Sequence, residues 1–356
     1  MLSDKVIGFV VSECSLQQRR RLINLSKILG EKNQIIFLTE DEQLMKLVES
    51  SCVKTVFLKK SKNYYSLHNS LRIRDLFNEK KLDIVHFFGI QGLIESVPWV
   101  QKTNHTSLCF DFSPRKYPLW LKLLLSPFIK RFDRLFIPSK LSRDDVWLNL
   151  RVPPGRCTSL SLKDLSYEQN GQALFHLKEM SEIPSLIRVG IYLNSPVQFS
   201  IFFRLKNYFE NKKISQKVKL CLIRDKFNET IFEEQHFRDV QVLRPTDDEY
   251  TKIDLWIVLG RPSDHPHLLR MFKNGAHLIS PSTSYLMELK ESMNEIISTY
   301  PHGDMRAAFD CVKEKSEQSR CRSYSFLVDL EEEELKRVIR GYERGLRRRE
   351  LAKKVM

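Results

Sequence analysis

Residues 250–288 read YTKIDLWIVLGRPSDHPHLLRMFKNGAHLISPSTSYLME. "IDLWIVLG" (253–260) is an apolar run of strand length, His267 to Asn274 has helical character, and "AHLISPS" (276–282) is a second apolar strand. Strand, helix and strand in such close succession form a parallel crossover unit, and fully apolar strands fit burial on both faces of a sheet.

The same rhythm extends outward. Upstream lie "LIRVGIYL" (186–193), a helix from Val197 to Asn211, "KVKLCLI" (217–223), a helix near Thr230 to Phe237, "VQVLRP" (240–245) and the helix-prone "TDDEYTK" (246–252). Residues 164–185, DLSYEQNGQALFHLKEMSEIPS, are polar and lose the alternation, which places a domain boundary there. The first half alternates again. "KVIGFVV" (5–11), "NQIIFLT" (33–39), "VKTVFLK" (53–59), "LDIVHFFG" (82–89), "HTSLCFDF" (105–112) and "FDRLFIPS" (132–139) read as strands. Helices are expected over Leu16–Leu29, Glu40–Glu49, Ser66–Glu79 and Gly92–Gln101. The pattern predicts an α/β protein with two Rossmann-like domains, 1–165 and 166–330, and a charged helix over 331–356 that packs back toward the first domain.

The chain has 356 residues, with 42% apolar and 29% charged side chains, which excludes a disordered or collagen-like protein. No apolar run reaches the length of a spanning helix, and the first residues lack a signal-peptide layout. A cytoplasmic location is expected. Seven cysteines at wide spacing, without a C-x-x-C pair, argue against a disulfide framework or a zinc site. The net charge of +14 is concentrated in the first half, where residues 1–165 hold 27 Lys and Arg against 16 Asp and Glu. Such a basic half suits an anionic partner, or solubility alone.

Within that half, Arg115–Arg134 interleaves Leu119, Trp120, Leu123, Leu124, Phe128 and Ile129 with basic residues. This composition fits an interfacial helix on an anionic membrane, with Trp120, Lys122, Lys130 and Arg131 as contacts. The alternative is a core-packed helix with a basic solvated edge. In the C-terminal segment, Glu331–Glu334 at the start and Arg347, Arg348, Arg349, Lys353 and Lys354 near the end complement the helix dipole.

Three stretches resemble the group-1, family-4-like glycosyltransferases of the GT-B fold. "KKLDIVHFFG" (80–89) is similar to their D-[IV]-[IV]-H strand, Phe132–Leu160 to their segment in which a D-x-[IV]-x-x-x-S strand is followed by a helix, and Tyr250–Glu288 to their most characteristic stretch. The matches are collinear from the first strand to Glu288. The resemblance implies two domains facing across a cleft that closes on a nucleotide-sugar donor, the substrate rather than a cofactor. No metal site is implied.

The polar positions of those motifs depart from the pattern. Ile191 and Pro196 stand where the resemblance implies a phosphate-binding Arg and Lys, and Pro262 and Arg270 stand where it implies a pair of Glu. The Gly-rich turn reads "VSECSLQQ" (11–18), and a His-Asp pair becomes Phe110-Asp111. A fold retained without its chemistry shows this loss of polar residues on an intact apolar frame. The expected function is therefore a degenerate glycosyltransferase acting as a binding subunit or scaffold in glycan or cell-envelope assembly. The alternative is an active nucleotide-sugar-dependent enzyme on a lipid-linked or surface glycan.

Candidate catalytic residues are Asp264, His265 and His267, since H-x-H beside an acid can bind a metal or move a proton; N-capping by Ser263 or Asp264 is the alternative. Candidate ligand-binding residues are Arg270, Ser282, Thr283, Glu288 and His86. The partners considered are an anionic membrane surface on which the protein sits peripherally, a glycan or nucleotide sugar, and a protein. Nucleic acid is disfavoured, because no stacking platform, zinc spacing or helix-turn-helix pattern accompanies the charge.

Overall fold

The computed structural model describes residues 2–12, 14–49, 54–59, 65–79, 81–100, 106–111, 127–137, 152–160, 175–179, 186–193, 195, 198–211, 218–225, 228–229, 232, 240–259, 265, 267–283, 286–287, 297–301, 303–317, 322–326 and 329–355. It divides into two compact units. One comprises Met1–Ser161 with Glu332–Met356, the other Leu162–Glu331.

The first unit runs β1 (Val6–Val11), α1 (Leu16–Gly30), β2 (Gln34–Thr39), α2 (Glu42–Glu49), β3 (Lys54–Phe57), α3 (Leu67–Glu79), β4 (Ile84–Phe88), α4 (Ile90–Val100), β5 (Ser107–Asp111), β6 (Arg134–Ile137) and β7 (Cys157–Ser159). Its sheet has the order β3-β2-β1-β4-β5-β6-β7, with every neighbouring pair parallel. The order reverses direction between β1 and β4, the topological switch point of a doubly wound sheet. The central strands are buried from end to end, as the apolar runs require. Ser15 and Gln18 form a capping box at the start of α1. Where the family-like pattern has glycines, the Ser12 N–H donates to the Phe88 carbonyl at 3.0 Å and the Ser12 hydroxyl accepts from the Gly92 N–H at 2.9 Å.

The C-terminal helix, Leu330–Val355, belongs to this unit. Gly341 and Gly345, one turn apart, let its backbone lie directly on the sheet. A Cβ at Gly341 would meet the Phe136 ring at 2.7 Å, and one at Gly345 would collide with the Ser107 hydroxyl. The helix closes over a buried aromatic cluster of Phe9, His86, Phe88, Phe136 and Tyr342. Deeper in the same interface Arg21, on α1, pairs with Asp111 on β5 at 3.2 Å and with Glu334 on the helix at 3.6 Å.

The second unit holds a parallel sheet of order β11-β10-β9-β12-β13-β14, built from β9 (Ile187–Tyr192), β10 (Val218–Ile223), β11 (Gln241–Leu243), β12 (Leu255–Ile257), β13 (His277–Pro281) and β14 (Ile297–Tyr300). Helices Gln198–Asn211, Leu268–Lys273 and Met305–Glu317 accompany it. "TDDEYTK" forms a short 3-10 helix, Asp248–Lys252. The polar stretch read as boundary contains a strand, β8 (Phe175–Glu179), paired antiparallel with β15 (Arg322–Phe326). A five-residue strand whose partner lies so far along the chain leaves little periodic signal, so the loss of alternation hid it.

Candidate functional site

In the second unit the strand order reverses between β9 and β12. The carboxyl ends of these strands are where open α/β sheets bind ligands. Here they carry a closed side-chain network. The Tyr192 hydroxyl, at the end of β9, donates to Asp225 Oδ1 at 3.1 Å, just beyond β10. The other carboxylate oxygen, Asp225 Oδ2, lies 2.8 Å from His267 Nε2, and His267 Nδ1 lies 3.1 Å from the Tyr250 hydroxyl. A carboxylate can only accept, so His267 carries its proton on Nε2 and Nδ1 accepts from Tyr250.

Asn228 fixes the frame. Its amide donates to the carbonyls of Leu193 and Ile223, at the ends of β9 and β10, and its Oδ1 accepts from the Asp225 N–H. Tyr192, Tyr250, His265 and His267 are all buried.

His265 lies beside His267, whose backbone N–H donates to His265 Nδ1 at 3.2 Å. The remaining proton of His265 is therefore on Nε2, which finds no hydrogen-bond partner among the described residues; the same holds for Trp256 Nε1. Burial, and then the neighbouring His267, hold the His265 imidazole well below its ordinary pKa, so it is neutral. The Tyr192 ring packs against both histidines at 5.1 Å between centroids, tilted on His265 and edge-on to His267. The H-x-H pair thus sits inside the unit, among rings and a carboxylate. His267 occupies the cap position of the Leu268–Lys273 helix without a side-chain cap bond. Among the described residues no group of three or more His, Cys, Asp or Glu is arranged to hold a metal ion.

The other expected site residues are scattered. Arg270 reaches outward, 41% exposed, and pairs with Glu331 at 3.3 Å. Ser282 and Thr283 follow β13 at its carboxyl end, where the Ser282 N–H donates to the Tyr300 carbonyl and the Thr283 hydroxyl finds no partner among the described residues. Asp264, Glu288, Trp120, Lys122, Pro196 and Pro262 lie outside the described residues. Ile191 is fully buried in the core of the unit, with Leu222 and Ile257 as its neighbours in register on either side.

In the first unit His86 is interior rather than at a strand end. Its Nδ1 lies 2.6 Å from the Tyr342 hydroxyl. Burial, and then the Arg21 guanidinium, keep it neutral. Asp111 accepts from Gln18 Nε2 at 2.6 Å and pairs with Arg21. Burial nevertheless raises its pKa above the ordinary carboxylate value, outweighing both partners. Lys130 and Arg131 precede β6 at the amino edge of the sheet, where the Arg131 carbonyl accepts from Arg349 Nη2 at 2.9 Å.

Sequence reasoning missed Tyr192, Asp225 and Tyr250. An acid two residues after "KVKLCLI" was the available signal, since strand ends of this fold collect polar side chains.

No family model and no curated protein matches the sequence. Solved structures do match in fold. A glycosyltransferase from Rickettsia africae ESF-5 superposes with a TM-score of 0.58 at 12% identity, covering 98% of this chain and 97% of its own. Anabaena HepE, solved with UDP and glucose, gives 0.57 at 14% identity, covering 99% of each chain. A UDP-N-acetylglucosamine 2-epimerase gives 0.50 at 12% identity, covering 88% of this chain and 87% of its own. With two parallel sheets of seven and six strands, the chain has the GT-B-type fold of nucleotide-sugar glycosyltransferases and UDP-N-acetylglucosamine 2-epimerases.

Proposed function

We propose that this protein is a degenerate glycosyltransferase that works as a binding subunit or scaffold in glycan or cell-envelope assembly, in the cytoplasm and beside a protein partner. One observation carries the reading. Where the family-like pattern places a phosphate-binding cation, the chain has Ile191, sealed in the core of the second unit. Transfer from a nucleotide sugar builds negative charge on the leaving diphosphate, and that charge needs preorganised donors or cations. Losing one such donor costs about 3–4 kcal/mol of transition-state stabilisation, on the order of 10²–10³ in rate. The nearby polar groups do not stand in for it. Asp225 and His267 satisfy one another and the tyrosines, and Asp225 brings a negative charge to the same strand ends.

A second reading, an active nucleotide-sugar-dependent enzyme, rests on the half-exposed Arg270 and the unpartnered Thr283 hydroxyl after β13. HepE, of similar fold, binds UDP and glucose. Calorimetry with UDP-glucose, UDP-N-acetylglucosamine and thymidine-diphosphate sugars, with a hydrolysis and transfer assay, separates the two. The scaffold reading expects neither micromolar binding nor turnover. Turnover abolished by Arg270→Ala establishes the enzyme instead.

A further inference from the structure

The C-terminal helix ends in a basic surface to which three other segments contribute. Along its exposed face Arg344, Arg347, Arg348, Leu351 and Lys354 follow one another at helical spacing, and Leu351 is 64% exposed. Against this face stand Lys130 and Arg131 before β6, Arg134 within it, and Arg156 before β7. Arg156 donates to the Lys130 carbonyl, Arg134 to the Gly155 carbonyl at 2.7 Å, and Arg349 to the Arg131 carbonyl. Asp133 is buried beneath, 2.8 Å from Arg349 Nε and 3.9 Å from Arg348 Nε. Glu343 and Glu350 share the helix segment but leave it strongly positive.

The cations crowd one another. Burial first, then Arg344 and Arg348, push Arg134 below the ordinary guanidinium pKa, and Arg156 is pushed the same way by burial, Arg348 and Arg349. A helix dipole favours one or two cations in a last turn. It does not account for arginines from β6 and from the turn before β7 gathering on the same spot. Such mutual repulsion is relieved by an anionic partner.

We propose that this face, formed by the end of the C-terminal helix and the amino edge of β6 and β7, docks the protein on an anionic lipid bilayer. Exposed Leu351 among the arginines separates this partner from nucleic acid. A bilayer accepts an apolar side chain between cations, whereas a phosphate backbone does not. The surface lies wholly in the first unit, so it stands whether or not the protein binds a nucleotide sugar.

The test is flotation of the full chain with vesicles of phosphatidylcholine alone or mixed with phosphatidylglycerol. Binding is expected only to the anionic vesicles and falls as NaCl rises from about 0.05 M to about 0.5 M, as the Debye length shrinks. Each basic residue near such a surface contributes roughly fivefold in affinity, so Arg344→Glu with Arg347→Glu lowers partitioning at least about tenfold. Leu351→Ser lowers it without changing charge. Arg204→Glu with Arg306→Glu, exposed positions of the second unit, makes the same charge change and leaves binding within about twofold. Four results overturn the proposal: no binding to anionic vesicles, equal loss in both double variants, full binding by Leu351→Ser, or tighter binding to RNA at matched phosphate concentration.

Discussion

The Tyr342 hydroxyl lies 2.6 Å from His86 Nδ1, joining the last helix to the fourth strand across 256 residues of sequence, and both side chains are fully buried. The hydroxyl finds no other acceptor among the described residues, so it donates to Nδ1 and leaves the ring proton on Nε2, itself unpartnered. The pair ties the C-terminal helix to the middle of β4. Tyr342→Phe strands His86 Nδ1 in an apolar cluster and is expected to lower stability by about 1–3 kcal/mol. Urea denaturation followed by fluorescence measures the loss.

Arg21 tests the same interface from below. With its guanidinium removed, Asp111 and Glu334 remain buried with no cation between them. Breaking one side of a buried ion-pair network costs about 3–5 kcal/mol. Arg21→Ala should therefore destabilise the protein by that amount, and adding Asp111→Asn with Glu334→Gln should restore part of it. Equal stabilities of Arg21→Ala and the triple variant in thermal melts would mean the carboxylates are not coupled through Arg21.

Helix proximity gives a third expectation. Gly345 faces Ser107 so closely that a methyl group there has no room. Overpacking of this kind typically costs about 1–3 kcal/mol. Gly345→Ala should lose stability, and Ser107→Gly in the same chain should recover most of it, a coupling that a double-mutant cycle reads directly. Additive effects would show that the helix simply moves away.

The two buried imidazoles set a pH dependence. His86 and His265 stay neutral when folded, because burial holds both far below the ordinary value. The unfolded chain binds protons at these rings below pH ~6.5. Stability from each is complete above that pH and falls as pH drops, by up to about 1.4 kcal/mol per pH unit. His265→Gln should therefore flatten the loss between pH ~7.5 and pH ~5.5 relative to the unaltered protein, measured as the shift in urea midpoint. Parallel curves would place a charged or exposed ring at 265.

The sequence made the two parallel sheets readable because their strands are buried on both faces, and β1, β4 and β9 stand as continuous apolar runs for that reason. It did not reveal β8 with β15, whose partners meet across the length of the second unit. The candidate site divides the same way. His265 and His267 are visible as a local pattern, whereas Asp225 reaches His267 from 42 residues away and only the strand order brings them together. Gly341 and Gly345 were written plainly in "GYERG" (341–345), yet their meaning depends on Phe136 and Ser107 lying beneath them.

Ile191 stands where the family-like pattern places a phosphate-binding arginine, so Ile191→Arg tests the degenerate reading directly. If a missing cation alone separated this chain from nucleotide-sugar binding, Ile191→Arg would restore it. Ile191, however, is fully buried in the core with Val189, Leu193 and Phe202. A guanidinium there must leave water without a partner, at a cost of several kcal/mol. Ile191→Arg is thus expected to lower the melting temperature sharply or unfold the second unit, while Ile191→Leu, which keeps the volume, stays within about 1.5 kcal/mol of the unaltered chain. Neither variant should bind UDP-glucose in calorimetry. A stable Ile191→Arg protein with micromolar affinity would instead show that the strand end still presents a donor site, and that one substitution had silenced it.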